Sequence, residues 1–296
     1  MCSVLNALVP GIRRHICSAV AVGLALVGSI VGVPVAGAAS INLGAAMDYS
    51  GLGLGGVPIT ISSGNTTIAG NVGVGVNGSL DFSGGGKIKG RIDKDSTSTV
   101  NLTGGSTAAG GIDTVSMASI AKAATDAASN YASLLPTSTL ASILSSTSIT
   151  GNGGQNVIDV TGDINLQGGS KLTLTGTSAD TFVFDIAGAM TLGGGSDITL
   201  VGVMPSQVLF NLTGTGKAVN LNGNSDSAGI FLDTKGDIIV SGGVHSSEFV
   251  SGTRLTFQSG PSINLLPLPE SVWGGLLLLG GLGMWRLRCR CLRPTA

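Results

Sequence analysis

One histidine, His245, lies between residues 39 and 266 of this 296-residue chain, and no cysteine does. A Ser-His-Asp hydrolase would need that imidazole as its base, with the hydroxyls of Ser246 and Ser247 beside it in VSGGVHSSEF. No Gly-x-Ser-x-Gly elbow accompanies it, and the segment reads as a loop with a solvated imidazole. Zinc takes three or four N, S or O ligands, which one histidine and scattered aspartates do not supply. Asp159, Asp185 and Asn211 recur at a spacing of 26 residues. If successive coils stack them ~4.8 Å apart, the two carboxylates fall near the ~5–5.5 Å of a retaining glycosidase, and calcium could bridge them. Yet Asn211 continues the column and no Trp or Tyr platform for sugar lies nearby, so a solvated polar ladder on an outer face is the simpler reading.

Phosphate chemistry fares no better. Gly51–Gly56 (GLGLGG) and Gly73–Gly78 (GVGVNG) match Gly-x-Gly-x-x-Gly literally, but the chain holds 49 glycines and neither match opens a helix after a strand. Both read as corners between strands. Ser83 to Lys87 is no P-loop, since Ile88 stands where Ser or Thr is needed. A net charge of −1 gives no electrostatic basis for nucleic acid. The chain is therefore expected to be no enzyme and to need no cofactor, calcium being the one metal the residues leave open.

The elements that position these residues repeat. IDVTG at 158–162, FDIAG at 184–188 and FNLTG at 210–214 are one pattern spaced by 26. Each unit alternates apolar and polar residues in short runs parted by Gly-Gly, Gly-Ser or Asn-Gly corners. About three strands of 4–5 residues fit such a unit, and stacked units share one core, as a parallel β-solenoid. Ile158, Val160, Ile164, Leu166, Leu172 and Leu174 would point inward in one coil, and Phe184, Ile186, Met190, Leu192, Ile198 and Leu200 in the next. Outward columns would be Asp159/Asp185/Asn211, Asn165/Thr191/Asn220 and Thr173/Thr199, with Thr175 beside Val201. Upstream, residues 59–92 carry the same alternation and read as two coils. Between the two regions, about 114–135 lacks glycine and repeats apolar residues at helical spacing, with Asp113 or Thr114 as cap and Pro136 as stop. This predicts one helix packed along the solenoid, with a short turn at Thr139–Ser145.

The two ends read as addresses. Residues 1–38 have a basic stretch, an apolar run and Ala36-Gly37-Ala38, the small-x-small pattern at which signal peptidase cuts. Residues 267–296 join a Pro-rich break to an apolar segment at 271–287 and then Arg286, Arg288, Arg290 and Arg293, which reads as a short membrane helix with its basic end in the cytoplasm. This tail resembles the PEP-CTERM sorting signal through Pro267, Leu268, Pro269, Trp273 and the arginines, with Leu266 and Glu270 where Val and Ala are usual. The resemblance implies a Gram-negative bacterium and processing by an exosortase-type enzyme. Between the ends, nine bases against fifteen acids leave a net charge of −6.

The body, 39–266, also resembles a known family. A Leu43-Gly44-Ala45 start, early coils, an Ala-rich helix, then FVFDIAG, GSDITLVG, VLFNLTG and GIFLD are similar to the ice-binding-like β-solenoid, and within it to surface proteins of the choice-of-anchor type. The fold so implied is mainly β, an irregular right-handed parallel β-helix with one helix alongside. Two functions are compatible with these readings. The leading one is a non-catalytic cell-surface or extracellular-matrix protein with a structural or adhesive role, exopolysaccharide being a candidate partner. The alternative is an ice-binding protein using a flat Thr-bearing face, with Thr173, Thr175 and Thr199 as candidates. A polysaccharide-active enzyme is a remote third.

Overall fold

The computed structural model describes residues 40–266. The expected cleavage residues Ala36 and Ala38, and the tail with Pro267, Leu268, Pro269, Trp273, Arg286, Arg288 and Arg290, lie outside the described residues. Among those described, no helix is long and apolar enough to cross a membrane.

Each coil is built from short strands joined by glycine corners. The first holds β1 (Tyr49–Gly53), β2 (Pro58–Ile61) and β3 (Thr67–Ile68); the second β4 (Asn71–Val74), β5 (Ser79–Phe82) and β6 (Lys87–Ile88). The third holds β7 (Ile92–Lys94), β8 (Thr99–Leu102) and β9 (Thr107–Ala108), and β10 (Ile112–Thr114) begins a fourth. Helix α1 (Ala118–Ala132) follows. Then come β11 (Ser138–Leu140) and β12 (Thr147–Thr150), β13 (Gln155–Val160), β14 (Ile164–Leu166) and β15 (Lys171–Thr175), and β16 (Thr181–Ile186), β17 (Met190–Leu192) and β18 (Asp197–Val201). The last coils hold β19 (Val208–Leu212) and β20 (Ala218–Leu221), β21 (Ser227–Asp233) and β22 (Asp237–Ser241), and finally β23 (Val244–Ser251), β24 (Arg254–Gln258) and β25 (Ser262–Asn264).

The coils are not stacked in chain order. The longest ladder runs β10-β7-β4-β1-β23-β21-β19-β16-β13-β11. The chain thus starts in the middle and builds outward to one end. Helix α1 carries it back along the side to the other end, and the later coils return until β23 meets β1. A second ladder of eight strands runs β14-β17-β20-β22-β24-β2-β5-β8.

The 26-residue register is observed: Ile158 pairs with Phe184, and Phe184 with Phe210. It then shortens, since Phe210 pairs with Phe231 and Phe231 with Phe249. Phe184, Phe210, Phe231 and Phe249 stack as one aromatic column with ring centroids 5.0, 5.0 and 5.3 Å apart. All four are fully buried, and each contributes about 1.5–3 kcal/mol through the apolar area it removes from water. The corners stack as well. Gly168, Gly194 and Gly223 have φ of 62, 60 and 63°, and a Cβ on Gly194 or Gly223 would lie 2.9 or 2.7 Å from the backbone nitrogen of the adjacent coil. Left-handed backbone and close approach both demand glycine there.

Five expectations change. Three upstream coils form rather than two. Residues Thr139–Ser145 contribute to β11 and to a bridge between Ile143 and Ile164, not to a turn. The helix is shorter than 114–135, because Thr114 belongs to β10 and Met117 stands at the N-cap without a side-chain cap. Leu200 is only partly buried, unlike the other eleven predicted inward residues. In the Gly-x-Gly-x-x-Gly matches, Gly51, Gly53 and Gly73 lie within strands and only the later glycines turn.

Candidate functional site

The histidine of the body is not in a solvated loop. His245 sits on β23, fully buried, in an inward column that pairs it with Ser227 on one side and Ile263 on the other. Its Nε2 lies 2.7 Å from the Gly242 carbonyl oxygen, which only accepts, so Nε2 carries the hydrogen. Nδ1 therefore accepts from Ser227 Oγ at 2.9 Å, and Ser227 in turn accepts from Ser247 Oγ at 3.0 Å. Burial holds the imidazole below its usual pKa, against the opposing pull of Gly242 and Asp226, so it is neutral. A hydrogen-bond chain ending on a carbonyl inside a core offers no nucleophile to a substrate. The partner serine is Ser227, which only the coil register brings near, and sequence spacing gives no sign of it.

The carboxylate column is also not a free outer ladder. Asp159, Asp185 and Asn211 do stack in register. However, α1 packs against the strands of Asp185 and Asn211, and both residues are buried. Asn211 Nδ2 donates to Asp185 Oδ1 at 2.7 Å and to the Ala128 carbonyl of α1 at 3.1 Å. Buried Ala124, Ala127 and Ala128 bring the helix close enough for that bond. Burial first, and Asp159 next, push the Asp185 carboxyl up to about 6, while the bond from Asn211 opposes them. The column is a latch for the helix. No group of three or more His, Cys, Asp or Glu side chains that would hold a metal occurs among the described residues.

Nothing in the sequence pattern marks three other buried carboxyls. Asp233 lies fully buried in the core, and burial lifts it to about 7 although the Lys235 and Gly236 amides oppose the shift. Glu248 is buried with neither oxygen hydrogen-bonded, and burial raises it well above the usual range. Asp180 is the opposite case. Burial pushes it up, but it accepts from the Thr177 and Gly153 amides, Asn156 and the Thr177 hydroxyl, which hold it at about 2. It pins the corner at Gly153 to the next coil.

With these groups enclosed, the surface is left. Thr173 and Thr199 pair directly, with Ser148 completing their row, and Thr175 lies between Thr150 and Val201. Their sheet has only three strands, β12, β15 and β18, and the Lys171–Asp197 ion pair at 3.2 Å borders it. The eight-stranded ladder gives a larger face. Its central outward row is Asn165, Thr191, Asn220, Ile239, Thr256, Thr60, Asp81 and Asn101, each directly paired with the next. Every one is exposed or half-buried, so none of the described elements covers the row. Seven strand spacings make the row about 34 Å long.

A coil of parallel strands around one core, with a helix along one face and an uncovered sheet on another, defines a β-solenoid. The profile of the ice-binding-like family matches residues 54–259, and the chain belongs to that family. Solved structures share the fold. The ice-binding protein of the Antarctic ascomycete Antarctomyces psychrotrophicus is 16% identical, with a TM-score of 0.55 over 78% of this chain and 100% of that one. An ice-binding protein from an Antarctic Flavobacteriaceae bacterium is 18% identical, with a TM-score of 0.56 over 78% of this chain and 48% of its own. A domain of Shewanella frigidimarina ice-binding protein 1 is 18% identical, with a TM-score of 0.53 over 78% and 100%. No curated protein matches the chain.

Proposed function

We propose that this protein binds ice through its eight-stranded face. The family and the ice-binding proteins that share its fold favour this over the structural or adhesive reading. The observation that carries it is the uncovered row from Asn165 to Asn101. Ice has neither a charge nor a pocket-sized feature to grip, so recognition rests on a rigid surface that already holds water in an ordered layer. Hydrogen-bonded strands fix side-chain rows ~4.8 Å apart, and alternate residues along a strand repeat at ~6.6 Å. Thr191, Thr256 and Thr60 place a methyl and a hydroxyl on that grid. The Thr173/Thr175/Thr199 patch has the same chemistry on three strands, about 10 Å across, and is the smaller candidate.

Ice-crystal shaping by the purified protein tests this. Faceted crystals that round off with Thr256→Tyr or Thr191→Tyr, and persist with Thr199→Tyr, support the eight-stranded face. Reversal by Thr199→Tyr alone moves the site to the smaller sheet. Round crystals from the folded parent overturn ice binding and leave the adhesive role.

Export, signal cleavage after Ala38, and exosortase-type sorting through Pro267, Leu268, Pro269, Trp273, Arg286, Arg288 and Arg290 belong to the same proposal. The order of motif, apolar run and arginines supports them. Mass spectrometry of protein recovered from the cell surface should find both ends trimmed, and an intact chain would refute that processing.

A further inference from the structure

We infer that copies of this chain stack end to end, one solenoid continuing into the next. At one end β8, β9 and β10 have no strand beyond them among the described residues; at the other, β11, β12 and the segment around Ile143 have none. Parallel strands send alternate backbone groups to opposite neighbours. The Thr99 and Thr103 amides bond inward to Gly78 and Phe82, so the amides of Val100 and Leu102 face outward along the free edge.

The two ends suit each other. Along the longest ladder both terminal coils advance 20 residues, from Ile92 to Ile112 and from Ser138 to Ile158, although the third face of the second end advances 25, from Thr147 to Leu172. All the ladders are parallel, so a copy translated along the axis presents strands of the right direction. Apolar rungs open at both ends: Ile112 is 45% exposed, and Val100, Leu102, Leu140 and Ile149, which pair with inward residues of the next coil, are only half-buried. Solenoid and sheet edges are ordinarily guarded by charge or proline. Here no charged residue occurs between Asp95 and Asp113, nor between Asp126 and Asp159, the stretches that form the two ends, and the one proline in them, Pro136, stands before β11 rather than within it. Asp113, the one charge on β10, lies beside Arg91 on the outer side.

Neither end is blocked by the points where the described chain begins and stops. Ile41 bonds to Ser206, and β25 pairs with β23 and β3, so the first and last described residues leave from the middle. Helix α1 lies along the side. The contact is heterologous, with one end meeting the other, so it extends into a row rather than closing. Its occupant is a second copy, because the mate of each free edge in strand direction, open apolar rungs and lack of charge is the opposite edge of this chain. End-to-end stacking does not depend on ice binding.

Sedimentation of the full chain over a range of concentrations tests it, with Val100→Lys and Leu140→Lys as single variants that charge one end each. The parent should show a concentration-dependent series of dimers and longer rows. Each variant alone should sediment as a monomer, with the parent's circular dichroism showing it is folded. A mixture of the two should stop at dimers, since each retains one uncharged end. A parent that is monomeric at every concentration, or that binds a different protein there instead, overturns the inference. So does assembly that both variants leave unchanged.

Discussion

Phe249 stands in register with Gly51, joining the last long strand of the chain to the first. Phe249 ends the aromatic stack, and Phe257 meets it edge-on at 5.8 Å. Gly51 continues the column with no side chain, and a Cβ there would touch Leu255 and Phe257 at 3.4 Å. The missing side chain on one strand makes room for the ring supplied by another coil.

This seam sets the first prediction. Phe249→Ala should lower stability by about 3–5 kcal/mol, and Gly51→Ile by about 1–3 kcal/mol through overpacking. Urea unfolding measures both. Losses under 1 kcal/mol would mean that the two halves of the solenoid do not depend on this contact.

Stability should fall as pH rises, because of Asp233. Its folded pKa of about 7 lies above the ordinary aspartate value of 3.8, so between those values the folded state holds a proton that the unfolded chain has released. The contribution is complete below about pH 4 and lost through pH 7. Asp185, raised to about 6, acts in the same direction. The Asp233→Asn variant should gain relative to the parent as pH increases from 5 to 8. The gain should reach a few kcal/mol, since each tenfold difference in proton affinity between folded and unfolded chain is worth ~1.4 kcal/mol. Parallel melting curves for parent and variant over that range would reject the assignment.

Asp180 carries the opposite sign. Held at about 2, its contribution is present above pH 4 and lost as acid titrates it. Asp180→Ala should cost about 3 kcal/mol at pH 7, since the amides of Gly153, Gly154 and Thr177 lose their acceptor. The difference from the parent should shrink toward pH 2 in thermal melts.

The latch is testable by hydrogen exchange. Asn211→Ala removes the bond to Ala128, and α1 amides should lose protection by about 1–3 kcal/mol while β16 and β19 keep theirs. Unchanged exchange in α1 would show that its alanines alone hold it.

The coil is legible in the sequence because side-chain alternation and stacked glycines both repeat along the chain. The pairs Ile158–Phe184 and Asp185–Asn211 follow from position alone. Which edge meets which is not legible. A strand such as Tyr49–Gly53 presents two equivalent edges, and nothing local states that one waits for Phe249. The burial of Asp185 is hidden for the same reason: its sequence neighbours place it outward, and α1, more than 50 residues earlier in the chain, covers it. His245 reads as a loop residue because its hydrogen-bond partner, Ser227, belongs to another coil. Of the surface, the Thr173–Thr199 row is legible from the 26-residue repeat, whereas the longer row joins Thr256 to Thr60 across the seam.

Because β1 waits for β23, the centre of the molecule is the last part to close. Coils β1 to β9 are made first, yet one face of β1 stays unpaired until residues near 250 have left the ribosome. Closing so long a loop is the slow kind of contact. A nascent chain is thus kept from completing its core until residues near 250 have been made.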